Sequence, residues 1–211
     1  MAAKRYINFL LIICVLTAIL AGCFGTSPNS RFYTLAPQEN RSAPGSTMLD
    51  TAVAIGPVTI PDYLDRRQIV TRSGQNEIVF SEFDRWGGSL EGEITRVLAA
   101  NLANRLNSTH VAVFPWRFIP PANVRTVYRI PVNIARFDGT LGDKVVLNAM
   151  WTVFVKGDKQ EETALTKELT VTEEVRDKSY EALVASMGKA VEKLGKEIAD
   201  SVTAQQNRMH H

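Results

Sequence analysis

The N-terminus constrains the fold most strongly, because it marks where the folded part of the chain begins. Lys4 and Arg5 precede an uncharged apolar run, residues 6–20, and two small residues follow it. A basic start, an apolar middle and a small-residue end form the layout of a secretory signal peptide. The alternative, a transmembrane helix, is disfavoured because the run stops short of the roughly 20 apolar residues that a bilayer core requires. We therefore expect residues 1–22 to be removed.

The four residues that end this leader, Leu-Ala-Gly-Cys, indicate how it is processed. They resemble the bacterial lipobox, whose cysteine becomes the acylated first residue of the mature protein. Two or more acyl chains anchor a protein stably, whereas one holds it only weakly. We expect a covalent lipid at Cys23 and no other cofactor. In Gram-negative lipoproteins, an Asp directly after this cysteine favours retention in the inner membrane. The residue here is Phe24, so the resemblance predicts the outer membrane, facing the periplasm.

Length and charge limit the class of protein. Removal of the leader leaves 189 residues (211 − 22), which fits one domain with a usable core. The leader takes Lys4 and Arg5 from 24 basic residues, so 22 remain against 22 acidic residues. A neutral mature chain does not suggest a nucleic-acid partner. Cys14 leaves with the leader and Cys23 carries lipid, so the mature chain cannot form an internal disulfide.

Composition divides the mature chain into a tether and a domain. Residues 24–48 are rich in Ser, Pro, Asn, Thr and Gly, except for the apolar RFYTL at 31–35, which predicts a short strand at a sheet edge. The free tether, residues 24–30, then spans at most roughly 25 Å. The predicted divisions are a signal peptide (1–22), the lipidated cysteine with tether and edge strand (23–48), one α+β domain (49–204) and a C-terminal tail (205–211).

Alternating apolar residues predict the first strands of a sheet. Pro57 and Pro61 interrupt the alternation over residues 53–60, and proline there indicates an edge, a bulge or a strand end. Two further strands, 68–72 and 77–81, flank Ser-Gly-Gln-Asn, which favours a hairpin.

Three longer alternating stretches follow a short strand near residues 110–115. They cover residues 127–139, 145–156 and 163–175, and each has one apolar face, although Lys167 interrupts that of the third. They predict a half-buried antiparallel meander.

Two segments show helical spacing of apolar residues. The first runs from Leu90 to Leu106 with Ser89 as its N-cap, and the second runs from Ser179 to Val202 with Asp177 as its cap. Two amphipathic helices on one face of a mainly antiparallel sheet predict an α+β fold, a two-layer sandwich.

The candidates for chemistry are few. A Ser-His-Asp hydrolase would have to use His110, which lacks a nucleophile-elbow sequence nearby. A transition-metal site would need several His or Cys ligands. The stretch over residues 85–92 lacks the Lys-Ser/Thr ending of a Walker motif, so its glycines favour a turn into the helix. Solvated surface charge explains the nearby carboxylates of Glu82, Asp84, Glu91 and Glu93. We predict no enzyme, no catalytic residue and no metal site.

Several local motifs occur in one order along the chain: the lipobox with Cys23, FYTL (32–35), VTIPDYLDRRQIV (58–70), Trp86 before the first helix, and a second helix led by Tyr180. In that order they resemble the ABC-type transport auxiliary lipoprotein family, typified by paraquat-inducible protein C. The resemblance covers nearly all of the mature chain, and its most specific part is Pro-Asp-Tyr-Leu.

The resemblance implies an accessory lipoprotein that works beside a mammalian-cell-entry (MCE) protein and associated inner-membrane transport components. Such systems move lipid or other hydrophobic substrates between two membranes. The resemblance implies no catalytic residue. Cys23 would anchor the domain to outer-membrane lipid, and our candidate partner contact is Pro61, Asp62, Tyr63 and Leu64 together with Trp86; the alternative for this loop is a turn packed against the sheet.

Two other functions stay open at this point. A periplasmic lipid-binding carrier would need an apolar cavity between the sheet and the helices, and a hydrolase would depend on His110. A homo-oligomer is also possible, since nothing in the helix faces specifies a subunit count.

Overall fold

The computed structural model describes residue 6 and residues 28–37, 51–108, 110–114, 124–156 and 161–209. Cys23 and, apart from Tyr6, the predicted leader lie outside the described residues. The described part forms eight strands and two helices. The strands are β1 Arg31–Tyr33, β2 Thr51–Thr59, β3 Gln68–Arg72, β4 Ile78–Trp86, β5 Val111–Val113, β6 Thr126–Gly139, β7 Lys144–Lys156 and β8 Glu161–Glu174, and the helices are α1 Leu90–Arg105 and α2 Tyr180–Met209.

The strands form one mixed sheet in the order β1-β4-β3-β6-β2-β5, and β6 also pairs with β7, which pairs with β8. The pairs β3–β4, β6–β7 and β7–β8 are antiparallel. The pairs β1–β4, β2–β5, β2–β6 and β3–β6 are parallel. The meander of the last three strands is therefore confirmed, whereas the prediction of a mainly antiparallel sheet was wrong. Parallel strands need a long crossover, and the segment containing α1 supplies one between β2 and β5.

Proline interrupts β2 without ending it. The register between β2 and β6 shifts between Ile55 and Val58, so Pro57 lies at a bulge, one of the three outcomes that its position predicted. Gly56 has a φ of +110°, and a Cβ there would lie 3.0 Å from the carbonyl oxygen of Phe114. Glycine suits this position, because the backbone angle strains any other residue and a Cβ would crowd the carbonyl oxygen.

The edge strand β8 carries the lysine that interrupts its apolar side. Lys167 stands opposite Trp151 of β7 in the antiparallel register, yet its side chain is exposed. A charge in the inward row of an edge strand disfavours pairing with the edge of another sheet.

Both helices begin at serine caps. The Ser89 hydroxyl accepts a hydrogen bond from the Gly92 N–H at 3.1 Å, and this confirms the predicted cap of α1. For α2, the Ser179 hydroxyl accepts from the Ala182 N–H at 3.1 Å. Asp177 instead accepts from the Ser179 N–H at 2.9 Å, so it fixes the turn before the cap. Helix α2 continues to Met209, beyond the predicted domain boundary at residue 204.

The two helices pack against each other and against one face of the sheet. Their apolar stripes meet the inward row of the central strands, and the resulting core is one continuous cluster. Its centre contains large, fully buried side chains, among them Leu98, Leu102, Tyr128, Phe137 and Trp151. The α+β class and the placement of the helices on one face are thus confirmed. Among the described residues, we find no helix with the length and hydropathy needed to cross a bilayer.

Candidate functional site

The segment after β2 folds into a tight turn. The Leu64 N–H donates to the carbonyl oxygen of Pro61 at 2.9 Å, and the Arg66 N–H donates to that of Leu64 at 2.8 Å. The Arg66 guanidinium Nε also donates to the carbonyl oxygen of Tyr63 at 2.8 Å. These local bonds satisfy the backbone of a segment that lacks sheet partners. We call residues 61–66 the Tyr63 loop.

A buried carboxylate fastens the Tyr63 loop to the sheet. Asp138, near the end of β6, has a side chain that is 0% exposed. Its Oδ2 accepts a hydrogen bond from the Tyr63 hydroxyl at 2.8 Å. Its Oδ1 accepts from Arg72 Nε at 2.8 Å and from Arg136 Nε at 2.9 Å. A buried charge is tolerated when it is paired and hydrogen-bonded, and these four residues, the Asp138 cluster, meet that condition.

The protonation states within the cluster favour the observed bonds. Burial, followed by the hydrogen bond to Asp138, raises the pKa of Tyr63 to about 12. Burial also acts to raise the pKa of Asp138, but the three hydrogen bonds that it accepts outweigh burial and hold its pKa below the ordinary value. At neutral pH the tyrosine is therefore a donor and the carboxylate an acceptor, and the Tyr63 loop is held in one position.

The five residues predicted to contact a partner differ in their exposure to solvent. Leu64 is 2% exposed and Trp86 is 3% exposed, and both belong to the hydrophobic core. Neither side chain can touch a partner unless the core opens. Pro61 and Tyr63 are half-buried, and Asp62 is exposed. The surface available for contact thus narrows to these three residues, and their contact role stays a prediction.

Sequence reasoning missed the charges that complete this surface. Asp65 and Arg67, within and directly after the Tyr63 loop, are both exposed. Both lie inside the motif VTIPDYLDRRQIV (58–70), which supports the family resemblance. Their position in that motif could have identified them as candidate contact residues.

A second buried carboxylate holds the N-terminal strand. Asp84 Oδ1 accepts from the Tyr33 hydroxyl at 2.9 Å and lies 2.8 Å from an Arg31 guanidinium nitrogen. Its Oδ2 accepts from the Ser81 hydroxyl at 3.0 Å. Asp84 is buried, so its interpretation as a solvated surface charge was wrong. Strand β1, predicted at the sheet edge, is confirmed there and is tied to β4 by side chains as well as by backbone pairing.

The segment that follows β1 is bound to α1. The Leu35 N–H donates to Glu93 Oε2 at 3.1 Å, and Arg96 donates to the Leu35 carbonyl oxygen and to Glu93. Glu93 is half-buried and is likewise not simply a solvated charge. Glu82 and Glu91 are exposed, as predicted. We call residues 31–35, with their partners Asp84, Glu93 and Arg96, the N-terminal clamp.

His110 gains no catalytic arrangement. Its ring Nδ1 is buried and has no hydrogen-bond partner among the residues that the structure describes. A Ser-His-Asp mechanism needs that nitrogen to be oriented by a carboxylate. Within the described ranges, no group of three or more His, Cys, Asp or Glu side chains could hold a metal ion. The hydrolase alternative therefore receives no support from this geometry.

The clamp, the loop and the sheet lie almost entirely in the part of the chain that matches a known family. Residues 33–199 match the model of the ABC-type transport auxiliary lipoprotein component. This chain belongs to that family. The resemblance inferred from the sequence motifs is confirmed.

A named relative agrees with this assignment, and two solved structures share the fold. The intermembrane transport lipoprotein PqiC of Escherichia coli is 23% identical over 138 residues, which cover 65% of this chain and 70% of PqiC. A crystal structure of a Xanthomonas campestris protein has a TM-score of 0.64 at 11% identity and covers 85% of this chain and 99% of that one. A crystal structure of an uncharacterized protein has a TM-score of 0.62 at 16% identity, over 83% and 99%. At these identities the structural likenesses show the fold alone.

Proposed function

We propose that this protein is a periplasmic lipoprotein, anchored to the outer membrane through Cys23, that docks onto an MCE-type, ABC-linked intermembrane lipid transport system. Membership of the auxiliary lipoprotein family supports an accessory role. The relative PqiC is named as an intermembrane transport lipoprotein, which supports transport between two membranes. The lipobox at Cys23 supports the acyl anchor.

The observation that carries the docking proposal is the Asp138 cluster. It fixes the Tyr63 loop, the most specific segment of the family resemblance, while leaving Asp62 exposed and Pro61 and Tyr63 half-exposed. A loop that is already ordered loses less conformational entropy on binding than a mobile one. Of the three donors that bind this carboxylate, Tyr63 belongs to the loop, so the cluster holds the loop in one position and supports a preformed contact surface.

The chemistry of this surface suits a polar, reversible contact. Asp62 and Asp65 place two exposed carboxylates beside the half-buried ring of Tyr63. Exposed charges at an interface chiefly set partner choice and association rate. We expect the partner surface on the MCE protein to place basic groups opposite Asp62 and Asp65 and acidic groups opposite Arg67, around a pocket for the tyrosine ring. We expect docking to weaken as salt rises.

Affinity purification of the full lipidated protein from detergent-solubilised membranes, followed by mass spectrometry, tests this function. We expect an MCE protein to be recovered with the wild type. A Cys23→Ala variant separates the role of the anchor from that of the docking surface, because it retains the folded domain. Recovery of phospholipid alone would contradict docking and favour the carrier alternative.

A further inference from the structure

The exposure of Phe32 is explained neither by the packing of the core nor by the Tyr63 loop. Phe32 is 63% exposed, more than any other large apolar residue described between residues 28 and 209. It lies between Arg31 and Tyr33, which both bind Asp84. Because side chains alternate along a strand, these contacts turn Phe32 away from the Asp84 side. The strand is therefore fixed in a position that presents an aromatic ring to the surroundings.

A groove adjoins this ring. It has a volume of about 430 Å³ and lies between the segment after β1 and the first turns of α2. Its lining is mostly apolar or small and contains one charged residue, Glu181. The groove opens at the surface, unlike the enclosed cavity that a carrier would need between the sheet and the helices. The residues that line it are Phe32, Tyr33, Thr34, Ala36, Glu181, Val184, Ala185 and Gly188.

The length of the tether places both features near a membrane. Residues 24–30 span at most roughly 25 Å when fully extended, and β1 begins at Arg31. The N-terminal clamp prevents this strand from swinging away from the domain, because Asp84 and Glu93 hold it at both ends. The side of the domain that carries Phe32 therefore stays within roughly 25 Å of Cys23, the length of the extended tether.

We propose that Phe32 and the adjoining groove form a second, non-covalent membrane contact, in which the ring enters the bilayer interface and the groove receives an acyl chain of a bilayer glycerophospholipid. The inference rests on the proposed acylation of Cys23. Aromatic and apolar side chains enter the boundary between headgroups and acyl chains when they are held against a membrane. Because the acyl anchor already supplies the affinity, this contact sets the orientation of the domain.

The contact is apolar in character. Arg31 is paired with Asp84, and among the described residues that line the groove the charged one is Glu181. Neither favours anionic lipid. The contact therefore persists at high salt and in uncharged phosphatidylcholine, which distinguishes it from electrostatic attachment.

Quenching by brominated lipid tests the proposal on the full-length, lipidated protein reconstituted in phosphatidylcholine vesicles. The probe is Phe32→Trp, and acylation of Cys23 is checked first by intact mass. The matched control is Met150→Trp. Met150 is 44% exposed and lies between the buried Ala149 and Trp151, on the sheet face without helices. Wild-type protein gives the baseline for the native tryptophans.

We expect bromine near the headgroup end of the acyl chains to reduce the emission of the Phe32→Trp probe and to leave that of the Met150→Trp control unchanged, at low and high salt. The proposal would be overturned if the Phe32→Trp probe emitted equally in brominated and ordinary vesicles, or if both positions were quenched equally. It would also be overturned if Cys23 carried no acyl lipid. Ala185→Glu, placed in the Phe32→Trp background, adds a charge to the groove and is expected to reduce the quenching. Unchanged quenching would overturn the role of the groove.

The assay needs neither a partner nor transport. A protein that shows quenching at position 32 but recovers no MCE protein would contradict the docking function alone. A protein that docks normally without quenching would contradict the membrane contact alone.

Discussion

The Tyr63 hydroxyl donates a 2.8 Å hydrogen bond to Asp138 Oδ2, which joins two residues 75 positions apart. This bond connects the Tyr63 loop with β6, one of the two longest strands that the structure describes. Arg72 and Arg136 bind the other carboxylate oxygen, so the tyrosine completes the set. The fixed loop that results is the feature on which the proposed docking depends.

Removal of that hydroxyl tests its contribution to stability. Tyr63→Phe is expected to lower the free energy of unfolding by about 1.5 to 3 kcal/mol, because the lost bond ends on a buried charged group. Urea denaturation measures the change. Tyr180→Phe is a matched control, since Tyr180 is also half-buried and lies outside the Asp138 cluster. An equal loss in both variants would show that the Asp138 cluster does not hold the loop.

The same bond predicts a loss of stability at alkaline pH. The pKa of Tyr63 is raised in the folded protein from 10.0 to about 12. A raised pKa contributes stability that is complete below the unfolded value and is lost as the pH rises toward the folded value. Wild-type stability should therefore fall between those two values more steeply than that of Tyr63→Phe. Parallel denaturation curves measured across this range would contradict the prediction.

Asp138 predicts the opposite behaviour in acid. Its pKa is lowered in the folded protein from the ordinary value of 3.8. Its contribution to stability is therefore complete above the unfolded pKa and is lost as the pH falls through the lower folded pKa. Asp138→Asn should cost about 3 kcal/mol at neutral pH, because it leaves buried donors facing a neutral amide. The difference from wild type should shrink on acidification below the ordinary carboxyl pKa. A difference that is independent of pH would show that the loss comes from packing.

The Asp84 carboxylate predicts how firmly β1 is held. Asp84→Asn weakens the bonds to Arg31 and Tyr33, so the backbone amides over residues 31–35 should exchange with solvent faster than in wild type. Hydrogen exchange followed by mass spectrometry measures this. Glu82→Gln, at an exposed position of the same strand, is the control. Unchanged protection in Asp84→Asn would mean that backbone pairing with β4 alone secures the strand.

The sequence predicted the features that depend on local pattern. Ser89 identified the start of α1, the apolar spacing identified both helices, and RFYTL identified an edge strand. Strand direction was harder, because the alternation in β2 is the same whether its neighbours are parallel or antiparallel. Three of the parallel pairs, β2–β5, β2–β6 and β3–β6, join strands on either side of α1, and the fourth, β1–β4, joins two strands that precede it. Only the tertiary arrangement reveals these pairs.

The candidate site shows the same limit for side chains. Trp86 and Leu64 were predicted as partner contacts because they belong to the motifs that carry the family resemblance, but both fill the core. Asp84 and Glu93 were interpreted as solvated charges because their partners, Tyr33 and Leu35, are more than 50 positions away. Spacing along the chain does not report such contacts.

Quantitative co-purification with a charge reversal on the Tyr63 loop tests the docking claim most directly. Asp62→Arg changes an exposed residue and leaves the Asp138 cluster intact, and Glu162→Arg reverses an exposed charge on β8 as a control. Both variants should be lipidated and as stable as wild type. We predict that Asp62→Arg recovers much less MCE protein than Glu162→Arg, which should match wild type. Equal recovery of the MCE protein by both variants would contradict docking through this loop.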